Sequence, residues 1–184
     1  MDSASADIQP VLCVDLDGTL YPGDFNIELG VALLIRRPWL GPPYIVWALA
    51  GRARLKAEIA RRLDFSPSRY NYNAELLDWL RGEKAAGRRI VIASGADRRI
   101  VDAVAAHLGL FDEVFGSDGR TNLTGAAKAE ALARRFGEFA YVGNSAVDLA
   151  VWRRAKCAYL VSRSSGLTRK LSRSIAFARV FASR

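Results

Sequence analysis

Residues 11–20 read Val-Leu-Cys-Val-Asp-Leu-Asp-Gly-Thr-Leu, and this stretch decides the fold. The apolar run predicts a buried strand over residues 11–16, which carries the carboxylates Asp15 and Asp17 at its end. Since strand side chains alternate, both carboxylates point the same way while the strand lasts. Such a pair among apolar neighbours needs a cation or a chemical task to offset its repulsion. Because ligands bind at the carboxyl ends of strands in open α/β sheets, the stretch predicts a phosphate-processing site.

The composition limits the class of protein. A chain of 184 residues fits one domain with a small insertion, and 51% hydrophobic residues are too many for a disordered chain. Residues 1–10 are polar and acidic, unlike a signal peptide, and no run is suited to span a bilayer. Cys13 and Cys157 fall in strand-like runs and are expected to be buried free thiols. We therefore expect a cytoplasmic protein.

The net charge of +8 is concentrated in two segments. Residues 36–62 contain seven basic residues and one acidic residue, and residues 153–184 contain nine basic residues and no acidic one. The rest of the chain is therefore acidic overall. Two basic patches suit phosphate-bearing partners or an anionic membrane surface, and the alternative is an ordinary solvated surface. We do not expect a nucleic-acid partner.

Periodicity and turn residues predict alternating strands and helices. Asn73 and Thr124 are predicted to cap helices that end at Gly87 and Gly137, and another helix ends at Gly109. The predicted strands cover residues 11–16, 89–93, 114–115, 139–142 and, as the last one, 157–161. The other predicted helices cover residues 24–36, 42–62 and 97–107, a helix through Asp148 and Trp152, and an amphipathic helix at 167–181.

This alternation is typical of βαβ units and a mostly parallel sheet. Three strands end in polar residues, which should converge on one edge of the sheet. The long helical stretch after the first strand is best interpreted as an insertion packed over that edge. We divide the chain into a core (8–22 and 70–165), a helical cap (23–69) and a basic C-terminal tail (166–184).

The order of motifs resembles the haloacid dehalogenase (HAD) superfamily of Asp-nucleophile phosphotransferases. It comprises DLDGTL at 15–20, Ser94 after an apolar strand, Lys128 in a later helix and GNSAVD at 143–148. In the segments RRPW, DGRTNL, GAAKA and YVGNS the chain is most similar to the HAD-type domain of bacterial UbiA-like prenyltransferase fusion proteins. The resemblance implies an α/β fold: a HAD-like Rossmannoid parallel sheet with helices on both faces and a small helical cap after the first strand.

The resemblance implies a role for each aspartate of the first motif. Asp15 would attack phosphorus to give an aspartyl-phosphate, which divides one difficult displacement into two steps. Asp17 would protonate the leaving oxygen and then accept a proton from the water that hydrolyses the intermediate. Its backbone carbonyl is also the family's expected metal ligand.

Other residues are expected to hold the phosphoryl group. Ser94 and the amide of Gly95 stand between a strand and a helix, where anions bind well. Thr19 and the loop after Asp17 would contribute in the same way. Lys128 would neutralise charge that develops on the phosphoryl group. The alternative for Lys128 is a solvated helix-surface residue, with Arg98 and Arg99 as substitutes.

A cation is needed because an anionic nucleophile attacks an anionic phosphate. Mg²⁺ suits an all-oxygen site, for which Asp15, Asp17, Asn144 and Asp148 are the candidate ligands. The chain departs here from the commoner GDxxxD pattern, since Asn144 stands where an aspartate is usual. An amide oxygen can still coordinate, but the site loses one negative charge. The alternative for Asn144 is a helix N-cap, which Ser145 could share.

The insertion suggests the substrate class. Residues 29–35 and 44–49 are apolar, too short to cross a membrane, and adjacent to basic clusters, a pattern that fits interfacial membrane binding. The alternative is packing against the core or against a second copy. We predict a Mg²⁺-dependent phosphomonoester phosphatase that acts through an aspartyl-phosphate.

Several alternatives remain open for substrate, partner and location. The substrate is a lipid-linked or prenyl-pathway phosphate at the inner membrane face, or a soluble small metabolite, and phosphotransfer is an alternative reaction. A non-catalytic domain that regulates or docks to a membrane-embedded prenyltransferase is the remaining alternative. Peripheral attachment to the inner face of the membrane is accordingly an alternative to a free cytoplasmic protein.

Overall fold

The protein is described by a computed structural model that covers residues 9–182. Within these residues six strands form a single sheet in the order β3-β2-β1-β4-β5-β6, and every neighbouring pair is parallel. The predicted α/β fold with a parallel sheet is thereby confirmed. The strands are β1 (Val11–Val14), β2 (Ile90–Asp97), β3 (Glu113–Ser117), β4 (Phe139–Gly143), β5 (Cys157–Ser162) and β6 (Phe177–Ala182).

Helices cover both faces of this sheet and form the insertion. Three of them, α1 to α3, lie in the chain between β1 and β2. The helices are α1 (Phe25–Arg36), α2 (Gly41–Leu49), α3 (Arg52–Ala60), α4 (Ala74–Ala85), α5 (Arg98–Leu108), α6 (Gly125–Phe136), α7 (Leu149–Trp152) and α8 (Ser165–Ser172). No helix among residues 9–182 is both long and apolar enough to cross a membrane.

Strand alternation divides the core into two apolar layers. Leu12 and Val14 of β1 point into the layer under α1, α3, α4 and α5, whereas Cys13 points into the layer under α6, α7 and α8. Residues at i and i+2 of a strand share a face, and here both faces are covered. This double burial explains why β1 is apolar at every position, as is usual in parallel sheets.

Most predicted helix boundaries are confirmed. The side chain of Asn73 accepts a hydrogen bond from the Leu76 amide and caps α4, and Asp97 caps α5 in the same way. Gly109 ends α5 in the left-handed conformation, where a β-carbon is costly. Thr124 occupies the N-cap position of α6, but its side chain makes no capping hydrogen bond.

Three predicted elements are wrong in detail. The helix predicted over 42–62 is two helices, because the chain turns at Gly51 with φ 110°. The helix predicted over 167–181 ends at Ser172, and the chain then forms β6, so residues 157–161 are not the last strand. Strand β6 pairs with β5 and fully buries Phe181, so residues 177–182 of the predicted basic tail belong to the sheet.

The insertion lies over the edge of the sheet where the strands end. Helix α3 reaches the end of β2, where Lys56 Nζ donates to the carbonyl oxygen of Gly95 at 2.6 Å. At the start of α1, the Phe25 amide donates to Asp17 Oδ1 at 2.9 Å. Both contacts hold the insertion against the carboxyl ends of β1 and β2, as the sequence predicts.

Candidate active site

The sheet order brings three polar strand ends together. Strand β1 lies between β2 and β4. Asp15 and Asn144 follow β1 and β4, and Gly95 lies near the end of β2, which continues to Asp97 beyond its predicted end at residue 93; all three face one pocket of about 810 Å³. In all, four carboxylates and three cationic side chains line the pocket. The carboxylates are those of Asp15, Asp17, Asp24 and Asp148, and the cations are Arg52, Lys56 and Lys128. Such a balance of charges suits a charged ligand more than an apolar one.

A buried hydrogen-bonded chain lies at the base of the pocket. Lys128 Nζ donates to Asp15 Oδ1 at 2.8 Å and to the Tyr141 hydroxyl at 2.9 Å. That hydroxyl donates to Asp148 Oδ1 at 2.8 Å, so Lys128 is linked to both carboxylates. All four residues are at least nine-tenths buried. Buried charges of this kind persist only when they are paired and hydrogen-bonded, as they are here.

The opposite charges of Asp15 and Lys128 in this hydrogen-bonded network offset part of the cost of burying each other. Burial raises the pKa of Asp15 to about 6, and the adjacent Lys128 limits that rise, so Asp15 is mainly a carboxylate at neutral pH. Burial also opposes the charge of Lys128, but Asp15 and Asp148 outweigh it and raise the lysine pKa. The pair is therefore an ionised nucleophile candidate beside a fixed cation.

Asp148 is fixed in place by the backbone of the loop that follows β4. Its Oδ2 accepts hydrogen bonds from the Asn144 and Ser145 amides, both at 3.1 Å. Ser145 and Asp148 together form a capping box at the short turn that precedes α7. The N-cap is thus Ser145, and the side chain of Asn144 is not used for capping.

Asp17 has a different environment from Asp15. Its two oxygens accept hydrogen bonds from the Phe25 amide at 2.9 Å and from Asn26 Nδ2 at 3.3 Å. Burial raises the pKa of Asp17 to about 7, although the bond from Phe25 opposes the rise. A carboxyl group with a pKa near neutrality can both donate and accept a proton, which general acid–base catalysis requires.

Gly18 lets Asn144 approach the loop after β1. It has φ 74°, and a β-carbon at this position would lie only 2.0 Å from Asn144 Nδ2. Both the backbone conformation and the close approach require glycine. The Asp-Gly pair of the first motif therefore brings the Asn144 amide beside the Asp17–Gly18 loop.

The predicted phosphate-binding residues are not equivalent in the structure. Gly95 and Lys128 line the pocket, whereas Ser94 and Thr19 are fully buried and do not line it. The Ser94 hydroxyl accepts a hydrogen bond from the Ala96 amide at 3.0 Å, and Thr19 Oγ1 has no partner among the described residues. The substitutes named for Lys128 also lie outside the lining: Arg98 pairs with Asp102, and Arg99 pairs with Asp97.

Sequence reasoning missed the contribution of α3 to the pocket. Lys56 lines the pocket and links Gly95 O to Asn122 Oδ1, at 2.6 and 2.8 Å. Arg52, one helical turn earlier, lines the pocket as well and forms no ion pair among residues 9–182. The only sequence signal is their spacing of four in a basic helix, which places them on one face.

The sequence matches the model of haloacid dehalogenase-like hydrolases over residues 12–153. The chain belongs to this family. The match includes β1 to β4, the insertion and the buried chain around Lys128, and it confirms the predicted HAD-type hydrolase class.

The chain is also similar to a longer protein. It is 36% identical over 153 residues to an uncharacterized protein, y4nM, of Sinorhizobium fredii (strain NBRC 101917 / NGR234). The match covers 83% of this chain and 30% of the relative. The chain thus spans less than a third of the curated relative that it matches.

Solved structures of HAD proteins share the fold. A HAD family hydrolase of Salmonella enterica serovar Typhi has a TM-score of 0.61 at 17% identity and covers 87% of this chain and 65% of its own. Phosphoserine phosphatase in the apo form and as a phospho-aspartyl intermediate analogue has TM-scores of 0.62 and 0.59, at 16% and 17% identity. Both cover 96% of this chain and 94% of their own. These similarities confirm the Rossmann-like HAD fold.

Proposed function

We propose that this HAD protein is a phosphomonoester phosphatase with Asp15 as its nucleophile. The buried Lys128–Asp15 ion pair at 2.8 Å carries the proposal, because it fixes an ionised carboxylate at the base of a polar pocket. The phospho-aspartyl form of the similar phosphoserine phosphatase supports the same chemistry here. Lys128 would then face the phosphoryl oxygens and stabilise the charge that develops on them.

Asp17 is proposed as the acid and base of the two half-reactions. In the first, Asp15 Oδ bonds to phosphorus while the bond from phosphorus to the alcohol oxygen breaks, and Asp17 donates its proton to that oxygen. In the second, water attacks phosphorus as Asp17 takes up a proton, and the bond from Asp15 to phosphorus breaks. Its contacts with Phe25 and Asn26 at the start of α1 hold the carboxyl group in place for both steps.

The donor atoms present fit Mg²⁺ in type. The carboxylates of Asp15 and Asp148, the carbonyl oxygen of Asp17 and the amide oxygen of Asn144 would hold the ion, and all four residues line the pocket. When bound, Mg²⁺ would screen the repulsion between Asp15 and the phosphoryl group. Among residues 9–182 no three acidic, histidine or cysteine side chains form a metal cluster, so the amide and carbonyl oxygens are necessary members of this set. Thr19 and Ser94 would support the phosphate loop from beneath the pocket surface.

The test compares the purified protein with Asp15→Asn on an aryl phosphate, with Mg²⁺ and with a chelator. We expect Mg²⁺-dependent turnover that Asp15→Asn abolishes, and an acid-stable phosphoryl group on the peptide that contains Asp15. Asp102→Asn is the matched control, since Asp102 is a half-exposed carboxylate outside the pocket. Turnover by Asp15→Asn at the wild-type rate would refute the assignment of the nucleophile.

Asn144 favours a second candidate, a non-catalytic HAD domain that docks to or regulates a membrane prenyltransferase. The loss of one negative charge weakens the proposed metal site, and the longer Sinorhizobium relative supports a domain that occurs within larger chains. Failure to hydrolyse any of a set of phosphomonoesters with Mg²⁺, Mn²⁺ or Co²⁺ would favour this candidate. The similarity to UbiA-like fusion proteins stays a prediction.

A further inference from the structure

The cap carries most of the exposed apolar surface of the protein. Of nine large exposed apolar side chains among residues 9–182, seven lie in a stretch of 23 residues, with exposed fractions from 53% to 84%. We call these seven the cap apolar surface; they are Ile27, Val31, Ile35, Trp39, Ile45, Val46 and Leu49. Single exposed apolar residues are ordinary, but a concentration of this kind marks an interaction site.

Helix α1 is apolar on two faces. Phe25, Leu29 and Leu33 are buried against the core, whereas Ile27, Val31 and Ile35 recur every four residues on an exposed face. A helix at the surface of a water-soluble domain normally presents polar side chains to solvent. The second apolar face of α1 therefore needs an apolar environment that the other residues in the range 9–182 do not provide.

The exposed face of α1 begins at the mouth of the active-site pocket. Ile27 is the first residue of that face and also lines the pocket, as does the exposed Val147. Helix α2 lies beside α1, since a β-carbon at Gly30 would lie 2.9 Å from the Tyr44 hydroxyl. An apolar path thus leads from the pocket along α1 and into the region of α2.

The charge around the cap apolar surface is mainly positive; Glu28, whose carboxylate accepts a hydrogen bond from the Tyr21 hydroxyl, is the one acidic residue within it. Between Glu28 and Glu58 the chain has five basic residues and no acidic residue. Arg36 and Arg37 directly follow Ile35, are exposed and form no ion pair with any residue of the described chain. A second copy docked on this surface would add like charges, whereas an anionic lipid surface would neutralise them.

We propose that the cap apolar surface inserts into the headgroup region of an anionic bilayer, with the pocket mouth facing the lipid. The combination of exposed aliphatic residues, an exposed tryptophan and adjacent arginines is typical of interfacial helices. The substrate is then a phosphomonoester of a membrane amphiphile, whose apolar part leaves the pocket past Ile27. The docking is independent of catalysis, and only the substrate class rests on the proposed phosphatase function.

Flotation with vesicles tests the docking without turnover. The full chain is mixed at low salt with vesicles of phosphatidylcholine alone, or of equal parts phosphatidylcholine and phosphatidylglycerol. We expect flotation with the anionic vesicles, the same flotation for Asp15→Asn, and at least a tenfold loss for Ile35→Glu/Val46→Glu. Arg36→Gln/Arg37→Gln should bind severalfold more weakly. Val180→Glu, at an exposed valine of β6, is the matched control and should bind like wild type.

Activity on two substrates tests the orientation. Ile35→Glu/Val46→Glu should keep the wild-type rate on a soluble aryl phosphate and lose most of its rate on a prenyl monophosphate embedded in anionic vesicles. Equal rates of variant and wild type on the embedded substrate would refute the substrate class. Absence of wild-type flotation, or flotation unaffected by the double variant, would refute the docking. A dimer in solution that the double variant dissociates, without vesicle binding, would assign the surface to a second copy instead.

Discussion

At the residue scale, Asn144 sets the charge of the proposed metal site. Its amide contributes no negative charge, and Lys128 already neutralises part of the charge on Asp15 and Asp148. We expect Asn144→Asp to lower the Mg²⁺ concentration for half-maximal activity roughly tenfold, because one added charge stands beside the ion. Mg²⁺ titration of aryl phosphate hydrolysis measures this directly.

A melting experiment provides the control for this substitution. Without metal, Asn144→Asp adds a carboxylate near two others, so the melting temperature should fall below that of wild type and recover when Mg²⁺ is added. Asn122→Asp changes another amide that lines the pocket, beside Lys56, and should not shift the Mg²⁺ dependence. An unchanged Mg²⁺ requirement for Asn144→Asp would place Asn144 outside the metal site.

The sequence predicted some residues of the pocket and not others, for a physical reason. Four residues could be identified from the sequence because they are polar and occur at strand ends or in the order of the motifs. They are Asp15, Asp17, Lys128 and Asp148. Tyr141 lies within an apolar strand, and its role becomes visible only when its hydroxyl is found between Lys128 and Asp148. Contacts of this kind depend on packing between distant elements, which local patterns do not encode.

At the element scale, α3 contains a buried carboxylate that forms ion pairs with three arginines. Glu58 accepts a hydrogen bond from Arg62 and pairs with Arg54 at 2.8 Å and Arg61 at 3.4 Å. The Arg62 bond is the main cause that lowers the pKa of Glu58. Because the folded-state pKa is lowered, the stabilisation is complete above the ordinary glutamate pKa of about 4.3 and disappears as the pH falls through the folded value.

Urea unfolding of Glu58→Gln tests this sign. At about pH 7 the variant should be about 1 to 3 kcal/mol less stable than wild type, since three arginines lose their shared partner. The difference should shrink as the pH falls below the ordinary glutamate pKa of about 4.3 and continue to shrink as the pH passes the lowered pKa of folded Glu58. Glu130→Gln, which breaks an exposed pair with Arg134, should change stability by less than about 0.5 kcal/mol at any pH. A constant difference for Glu58→Gln would contradict the pKa argument.

Strand β6 shows where periodicity misleads. Residues 167–181 combine apolar residues with arginines and suggest an amphipathic helix, but only residues up to Ser172 are helical. In β6, Phe181 is fully buried, with its ring centroid 4.9 Å from that of Trp79. The segment forms a strand because its backbone pairs with the edge of β5. This pairing depends on the tertiary fold and cannot be predicted from the sequence of the segment alone.

The substitution Phe181→Ala tests whether β6 is part of the folded core. Phe181→Ala should cost about 3 to 5 kcal/mol of unfolding free energy, because it leaves a cavity between β6 and α4. The exposed neighbour Val180 is the control, and Val180→Ala should cost less than about 1 kcal/mol. Equilibrium urea unfolding measures both, and equal stability of the two variants would show that the segment is dispensable.

At the scale of the whole molecule, the predicted cap and core share one apolar layer. Phe25, Leu33 and Ile59 of the insertion belong to the same buried cluster as Leu12 and Val14 of β1. The sequence predicted the division at residues 23–69 because a long helical stretch interrupts the alternation of strands and helices there. It could not show that the insertion lacks a core of its own, because burial is a property of the assembled fold.

This shared layer predicts a single cooperative unfolding transition for cap and core. Trp39 and Trp47 lie in the insertion, whereas Trp79 and Trp152 lie in α4 and α7, so each pair reports on one part. Trp79→Phe/Trp152→Phe and Trp39→Phe/Trp47→Phe should each give a fluorescence midpoint that coincides with the circular dichroism midpoint of the same variant in urea. An insertion that unfolds first would lower the fluorescence midpoint only in Trp79→Phe/Trp152→Phe. Coincidence in both variants would mean that the cap and the core unfold as one unit, as their shared apolar layer predicts.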